Sequence, residues 1–171
     1  MKDILKQVGI SVIVFVIIFI LQETVIINAR IPSESMEGTI MTGDRLFGNR
    51  LAYIEEKPKR GDIIIFKYPD NPEEQFIKRV IGLPGEHVQI INSSVYIDGK
   101  LIEEDYLKEE WVVANNGYDF DVPEKSYFVM GDNRNNSMDS RYWENPFVTE
   151  DLIIAKAELI YYPITEAGFV E

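Results

Sequence analysis

The sequence predicts a mainly β fold, a curled antiparallel sheet or partly open barrel, carried behind one N-terminal transmembrane helix. Three observations carry that prediction. Short β-branched runs bounded by Gly, Pro, Asn and Asp recur from residue 62 to residue 162, the pattern of strands separated by turns. No helical periodicity alternates with those runs, which argues against a parallel α/β sheet and for a curled antiparallel one. Residues 8–21 carry no charge at all, which sets the front of the chain apart.

The elements follow in order. "VGISVIVFVIIFIL" (Val8–Leu21) is short of the ~20 residues that cross ~30 Å of hydrocarbon. Counting on through Ile27 reaches that length, with Gln22, Glu23 and Thr24 at the far interface. A retained anchor over 8–27 fits better than a cleaved signal peptide, because no small-x-small site follows closely and β-branched residues persist past the core. Lys2 and Lys6 favour a cytoplasmic segment 1–7, with 28–171 outside the cytoplasmic membrane. In that domain "DIIIFKY" (Asp62–Tyr68) is opened by Arg60–Gly61 and stopped by Pro69, and "FIKRVI" (Phe76–Ile81) is closed by "GLPGE". "HVQII" and "SVYIDGKLI" form a meander whose Asp98–Gly99 is a strong two-residue hairpin turn. "SYFVM" (Ser126–Met130) and "LIIAKAELIYY" (Leu152–Tyr162) complete the strands, while 103–122, acidic and irregular with an "NNG" turn, reads as an insertion on the rim.

Composition narrows the chemistry. The chain has 171 residues, enough for a membrane segment and one compact domain. It has no cysteine and one histidine, His87, which excludes disulfides, thiol nucleophiles and Cys-based zinc sites and removes most His-rich metal sites. No cofactor is expected. Net charge is −12; Lys2, Lys6 and Arg30 against Asp3 and Glu23 make residues 1–30 +1, leaving −13 on the remainder. So acidic a domain repels phosphate backbones, so nucleic acid is not an expected partner, and contact with membrane lipid must come from apolar groups.

Hydrolysis then has to rest on Ser, Lys, Asp and Glu. Ser33 and Ser35 follow the apolar run and, taken alone, read as linker residues. Lys78 is more informative, since strand alternation places it with Phe76 and Val80 on one face. It is either a solvent-facing lysine or an amine held among apolar neighbours. At a reference pKa of ~10.4 a lysine is neutral about four times in ten thousand at pH 7, so using it as a base costs roughly 4.6 kcal/mol. Burial that lowers the pKa to ~8 recovers over 3 kcal/mol of that. The loop "GDNRNNSMDSR" (Gly131–Arg141) is a poor calcium loop, because Arg134 takes a ligand position and no glycine follows where the loop must bend. It reads instead as a polar loop in which Asp and Arg lock each other and a serine orients a neighbour. Trp143 and Phe147 suit either the core or a membrane interface.

In chain order these segments resemble the bacterial type I signal peptidases, membrane-anchored serine proteases with a Ser/Lys dyad. "PSESM" (Pro32–Met36) is similar to their nucleophile segment, "GDRLFGNRLAY" (Gly43–Tyr53) to the next block, "RGDIIIFKYP…FIKRVIGLPGE" to the lysine block and "MGDNRNNSMDSRYW" to the last. The sequence departs from the family pattern at Gly38, where proline is usual, and at Glu144, where glycine is usual. The resemblance implies Ser35 as nucleophile, Lys78 as general base, the Ser35 N–H and Ser33 hydroxyl as oxyanion hole, Ser137 holding the Lys78 amine, and Asp139 and Arg141 bracing the loop. It also implies an endopeptidase that removes signal peptides from exported preproteins, with small residues at the first and third positions before the cut. Three rivals fit less well. A self-cleaving repressor would carry a DNA-binding head in place of the anchor, and a silent anchored β module for adhesion or pilus assembly would lack the serine or the lysine. Eukaryotic and archaeal relatives carry histidine where Lys78 stands.

Overall fold

The structure, a computed structural model, describes residues 2–112 and 117–170. It opens with helix α1 (Lys2–Val25) and continues directly into strand β1 (Ile26–Arg30). Ten further strands precede the last: β2 (Arg45–Asn49), β3 (Ile63–Tyr68), β4 (Asn71–Gly82), β5 (His87–Ile91), β6 (Ser94–Ile97), β7 (Lys100–Leu101), β8 (Tyr118–Asp121), β9 (Ser126–Met130), β10 (Val148–Thr149) and β11 (Ile153–Tyr162). β12 (Gly168–Phe169) closes the series.

Among the described residues the strands form two antiparallel sheets and no closed barrel. The larger runs β1–β2–β11–β3–β4–β9–β10, with β12 on β11; the smaller runs β7–β6–β5–β8. β11 is late in sequence yet central in space: it threads between β2 and β3. β3 is buried on both faces, with Ile63 and Ile65 in one apolar cluster and Ile64 and Phe66 in another. That is why its sequence is apolar throughout rather than alternating. Both hairpins of the small sheet turn on left-handed pairs, Asn92–Ser93 (φ 50° and 58°) and Asp98–Gly99 (φ 50° and 75°), which match the twist of the flanking strands.

The structure bears on four of these expectations. The helix expected over 8–27 lies at Lys2–Val25, because Ile26 and Ile27 are already paired with Asn49 and Gly48. Among the described residues no helix is long and apolar enough to cross a membrane. Segment 103–122 is not wholly irregular, since its last residues form β8 and pair with β5; Asn115 and Asn116 of the expected turn lie outside the described residues. Trp143 is a core residue, packed with Phe66, Tyr68 and Phe76.

Candidate active site

Ser35 sits in the turn between β1 and β2. That excursion is closed at its base by Ile31 N–H donating to the Asp44 carbonyl (2.9 Å) and Gly43 N–H to the Ile31 carbonyl (2.8 Å). Met36 and Ile40, both fully buried, pin the turn to the core on either side of Gly38. Lys78 arrives from β4, where it pairs with Ile64 of β3. Its Nζ lies 2.7 Å from Ser35 Oγ and donates to the Ile77 carbonyl at 3.0 Å. Only 3% of Lys78 and 7% of Ser35 is exposed. The Phe76 ring stands 5.4 Å from the amine and stacks on Tyr68.

Burial drives the Lys78 pKa down from 10.5 to about 8; Asp139 and Asp132 oppose the shift and Arg141 adds to it. Loss of water disfavours the ammonium, and the nearby carboxylates restore only part of what hydration supplied. The bond to Ile77 fixes one N–H, so in the neutral amine the lone pair is free to face the serine hydroxyl. Together the two residues line a cleft of about 920 Å³ with Pro32, Ser33, Phe76 and Met138 among its walls.

The remaining expected residues are placed as follows. The Ser33 hydroxyl is exposed and makes a long 3.5 Å contact with Ser35 Oγ. Asp139 and Arg141 form a fully buried bidentate pair (2.7 and 2.9 Å), and Asp139 also accepts from Gly131 N–H at 2.9 Å. Ser137 and Ser35 both lie against Gly131, but the buried Ser137 Oγ has no hydrogen-bond partner, so the bond expected to the Lys78 amine is not made. His87 is remote from the cleft walls and pairs across the small sheet with Asp121 (2.7 Å) and Asp119 (3.3 Å), which raises its pKa.

A larger polar network lies behind Ser35 and Lys78, and most of it was not foreseen. Arg79, next to Lys78, makes a bidentate pair with Asp132 (2.9 and 2.7 Å), which also accepts from the Thr39 hydroxyl at 2.6 Å. Arg134 pairs with Glu104 from the rim segment (2.9 and 2.5 Å), and Arg141 donates to the Arg134 carbonyl. Trp111 lies against both Arg134 and Arg141, and Tyr106 against Arg79 at 4.0 Å. Segment 103–112 is therefore a strap across the arginine network rather than a loose rim. Breaking one member of such a buried pair strands its partner's charge, which costs about 3–5 kcal/mol.

The last loop also latches the segment that carries Ser35. Asn133 N–H donates to the Ser35 carbonyl (3.1 Å) and the Asn133 side chain to the Glu34 carbonyl (3.1 Å). Gly131 makes this approach possible, because a Cβ there would lie 2.3 Å from both the Ser35 carbonyl oxygen and Ser137 Oγ. Gly131→Ala is therefore expected to displace Ser35 and lower kcat/KM by about 100-fold, the effect of misplacing a reacting group by ~1 Å. Unchanged far-ultraviolet circular dichroism beside that loss checks that the fold persists; an unchanged rate refutes the latch.

Residues 4–162 match the family described as signal peptidase, peptidase S26. The chain belongs to that family. It is 36% identical over 173 residues to a probable signal peptidase I-2 of Synechocystis sp., covering 96% of this chain and 76% of the relative. To a signal peptidase I of Leptolyngbya laminosa it is 39% identical, covering 96% and 81%. Bacillus subtilis subsp. natto has a signal peptidase I P that is 33% identical, with 95% and 91% covered. Among solved structures, a crystal structure of a signal peptidase I from Enterococcus faecalis V583 is 40% identical with a TM-score of 0.50, covering 59% of this chain and 97% of that one.

Against that family the two departures find a physical place. Gly38 has φ +103°, a conformation closed to proline. Its turn is not loosened, because Thr39 N–H and Ile40 N–H both donate to the Met36 carbonyl (3.1 and 2.9 Å). Glu144 needs no glycine-like backbone: the non-glycine residues of positive φ among the described residues are Asn92, Ser93, Asp98 and Lys125. Its N–H and that of Asn145 are held by Asp70 at 2.9 and 2.8 Å.

Proposed function

We propose that the protein is a membrane-anchored serine endopeptidase that removes signal peptides from exported preproteins, with Ser35 as nucleophile and Lys78 as general base. The observation that carries this reading is the 2.7 Å approach of a buried lysine amine, its pKa lowered to about 8, to a serine hydroxyl at the floor of a cleft. The neutral amine accepts the hydroxyl proton as Oγ attacks the scissile carbonyl. The resulting ammonium gives that proton to the leaving amine, and water completes the cycle through the acyl-enzyme. The Ser35 N–H, which has no protein acceptor among the described residues, and the Ser33 hydroxyl are the donors for the oxyanion. From Asn71 to Lys78 the edge of β4 away from β3 pairs with no strand among the described residues, and β9 joins it only from Arg79 on. An extended peptide has backbone partners there.

The direct test incubates the detergent-solubilised protein with a preprotein carrying alanine at the first and third positions before the cut. Mass spectrometry of the product should find one new N-terminus directly after the alanine motif. A large residue such as Leu at the first position should block the cut. Cleavage indifferent to those positions overturns the reading.

The anchor is argued from α1. Every described side chain from Val8 to Phe19 is exposed on all faces of the helix, and an all-round apolar helix that packs on nothing needs an apolar surrounding. Tethering brings enzyme and a membrane-held substrate together in two dimensions, which raises their effective concentration. With Lys2 and Lys6 before the apolar run, the domain is expected outside the cytoplasmic membrane. Protease added to wall-stripped cells should digest it, and protection equal to that of a cytosolic marker reverses the topology.

A further inference from the structure

We propose that the cleft selects its peptide by charge, favouring a basic residue near the cut and rejecting an acidic one, through Glu34, Glu37 and Glu74. This rests on the endopeptidase reading above and names a substrate feature in addition to the small residues. All three carboxylates line the cleft that holds Ser35 and Lys78. Glu34 and Glu37 stand on the nucleophile turn on either side of Ser35, and Glu74 stands across from them on β4, four residues before Lys78.

Each is held by a neutral donor. Asn136 Nδ2 donates to Glu34 (2.5 Å), the Thr42 hydroxyl to Glu37 (3.0 Å) and Asn71 Nδ2 to Glu74 (2.8 Å). None of the ion pairs among the described residues includes them. The carboxylates behind the dyad differ in this respect, because Asp132, Asp139 and Glu104 are each matched by an arginine. Among the described residues Lys78 is the one cation lining the cleft, and on the proposed mechanism it works in its neutral form. The working cleft therefore carries three fixed negative charges and no positive one. The nucleophile and base at its floor identify what those charges face: an extended peptide passing between the β1–β2 turn and β4.

Charges at surface separations act through a high dielectric, so each carboxylate contributes a factor of a few and salt weakens it. Exchanging Lys for Glu in the peptide reverses the sign against all three, so the summed preference should reach about tenfold at low ionic strength.

The experiment uses the detergent-solubilised full chain and one fluorogenic peptide with alanine at the first and third positions before the cut. Lys, Gln or Glu is placed in turn at the other positions flanking it. At one or more positions kcat/KM should fall in the order Lys, Gln, Glu, with a Lys-to-Glu ratio of about ten or more, shrinking towards about two near 0.5 M salt. Within Glu34→Gln, Glu37→Gln or Glu74→Gln that ratio should drop severalfold, and because it is a ratio within one variant, a general loss of rate does not disturb it. Equal cleavage of the Lys and Glu peptides at low salt, or a ratio unmoved in all three variants, overturns the proposal alone. Failure to cut even the Gln peptides overturns the endopeptidase reading, and the charge preference falls with it.

Discussion

Ser35→Ala is expected to abolish preprotein cleavage by the solubilised protein, with a loss of about 10⁴-fold or more, while the fold persists. The hydroxyl removed is the one 2.7 Å from Lys78 Nζ. Among the described residues no second serine is bonded to a lysine amine. Ser137 Oγ has no partner, and His87 is engaged by Asp121 and Asp119 on another sheet. Ser33→Ala should be milder, about 100-fold, because it removes one donor to the oxyanion and leaves nucleophile and base in place. Processing at near wild-type rate by the Ser35 variant would overturn the assignment.

The second large effect is on pH. The rate should rise with pH along a single limb near 8, the pKa of Lys78, because only the unprotonated amine takes the serine proton. Lys78→Arg should be inactive at every pH tested, since guanidinium keeps its proton in that range. His87→Gln should leave the limb where it is, and a limb that moves with His87 refutes the lysine base. Stability follows the same titration. The folded pKa of Lys78 is lowered, so the unfolded chain binds more protons between about 8 and 10.5, and stability rises with pH through that window. Below it the buried ammonium carries its full cost. Lys78→Met is therefore expected to be more stable than wild type at pH 7 by about 1–3 kcal/mol in urea unfolding, with the gain fading towards pH 10.

What the chain discloses before folding depends on how local each feature is. Ile63–Tyr68, His87–Ile91 and Ser126–Met130 are strands whose own residues are apolar and β-branched or aromatic, so pattern alone finds them. Ile26–Arg30 and Arg45–Asn49 contain Asn, Arg and Gly and become strands through each other and through β11, more than a hundred residues on from Arg45. The burial of Lys78 was one of two readings the sequence left open, because Phe76 and Val80 share its face. Its pairing with Ser35 came from the family resemblance, since nothing local joins residues 43 positions apart. Arg79–Asp132 and Arg134–Glu104 were missed for the same reason: each bond joins segments that no periodicity connects. Ser137 shows the reverse case, a residue placed correctly near the site whose expected bond is not formed.

The position of β11 also bears on when the enzyme comes into being. Ser35 lies in the β1–β2 turn and Lys78 in the β3–β4 hairpin, and the strand that joins those two hairpins edge to edge is Ile153–Tyr162. A ribosome delivers both reactive residues long before it delivers that strand, and contacts so distant in sequence form late. The half-made chain therefore carries a serine and a lysine with nothing to hold them together. Its lysine is solvated, protonated and inert. On the proposed Ser35–Lys78 mechanism, a chain truncated before β11 is expected to cleave neither itself nor its neighbours.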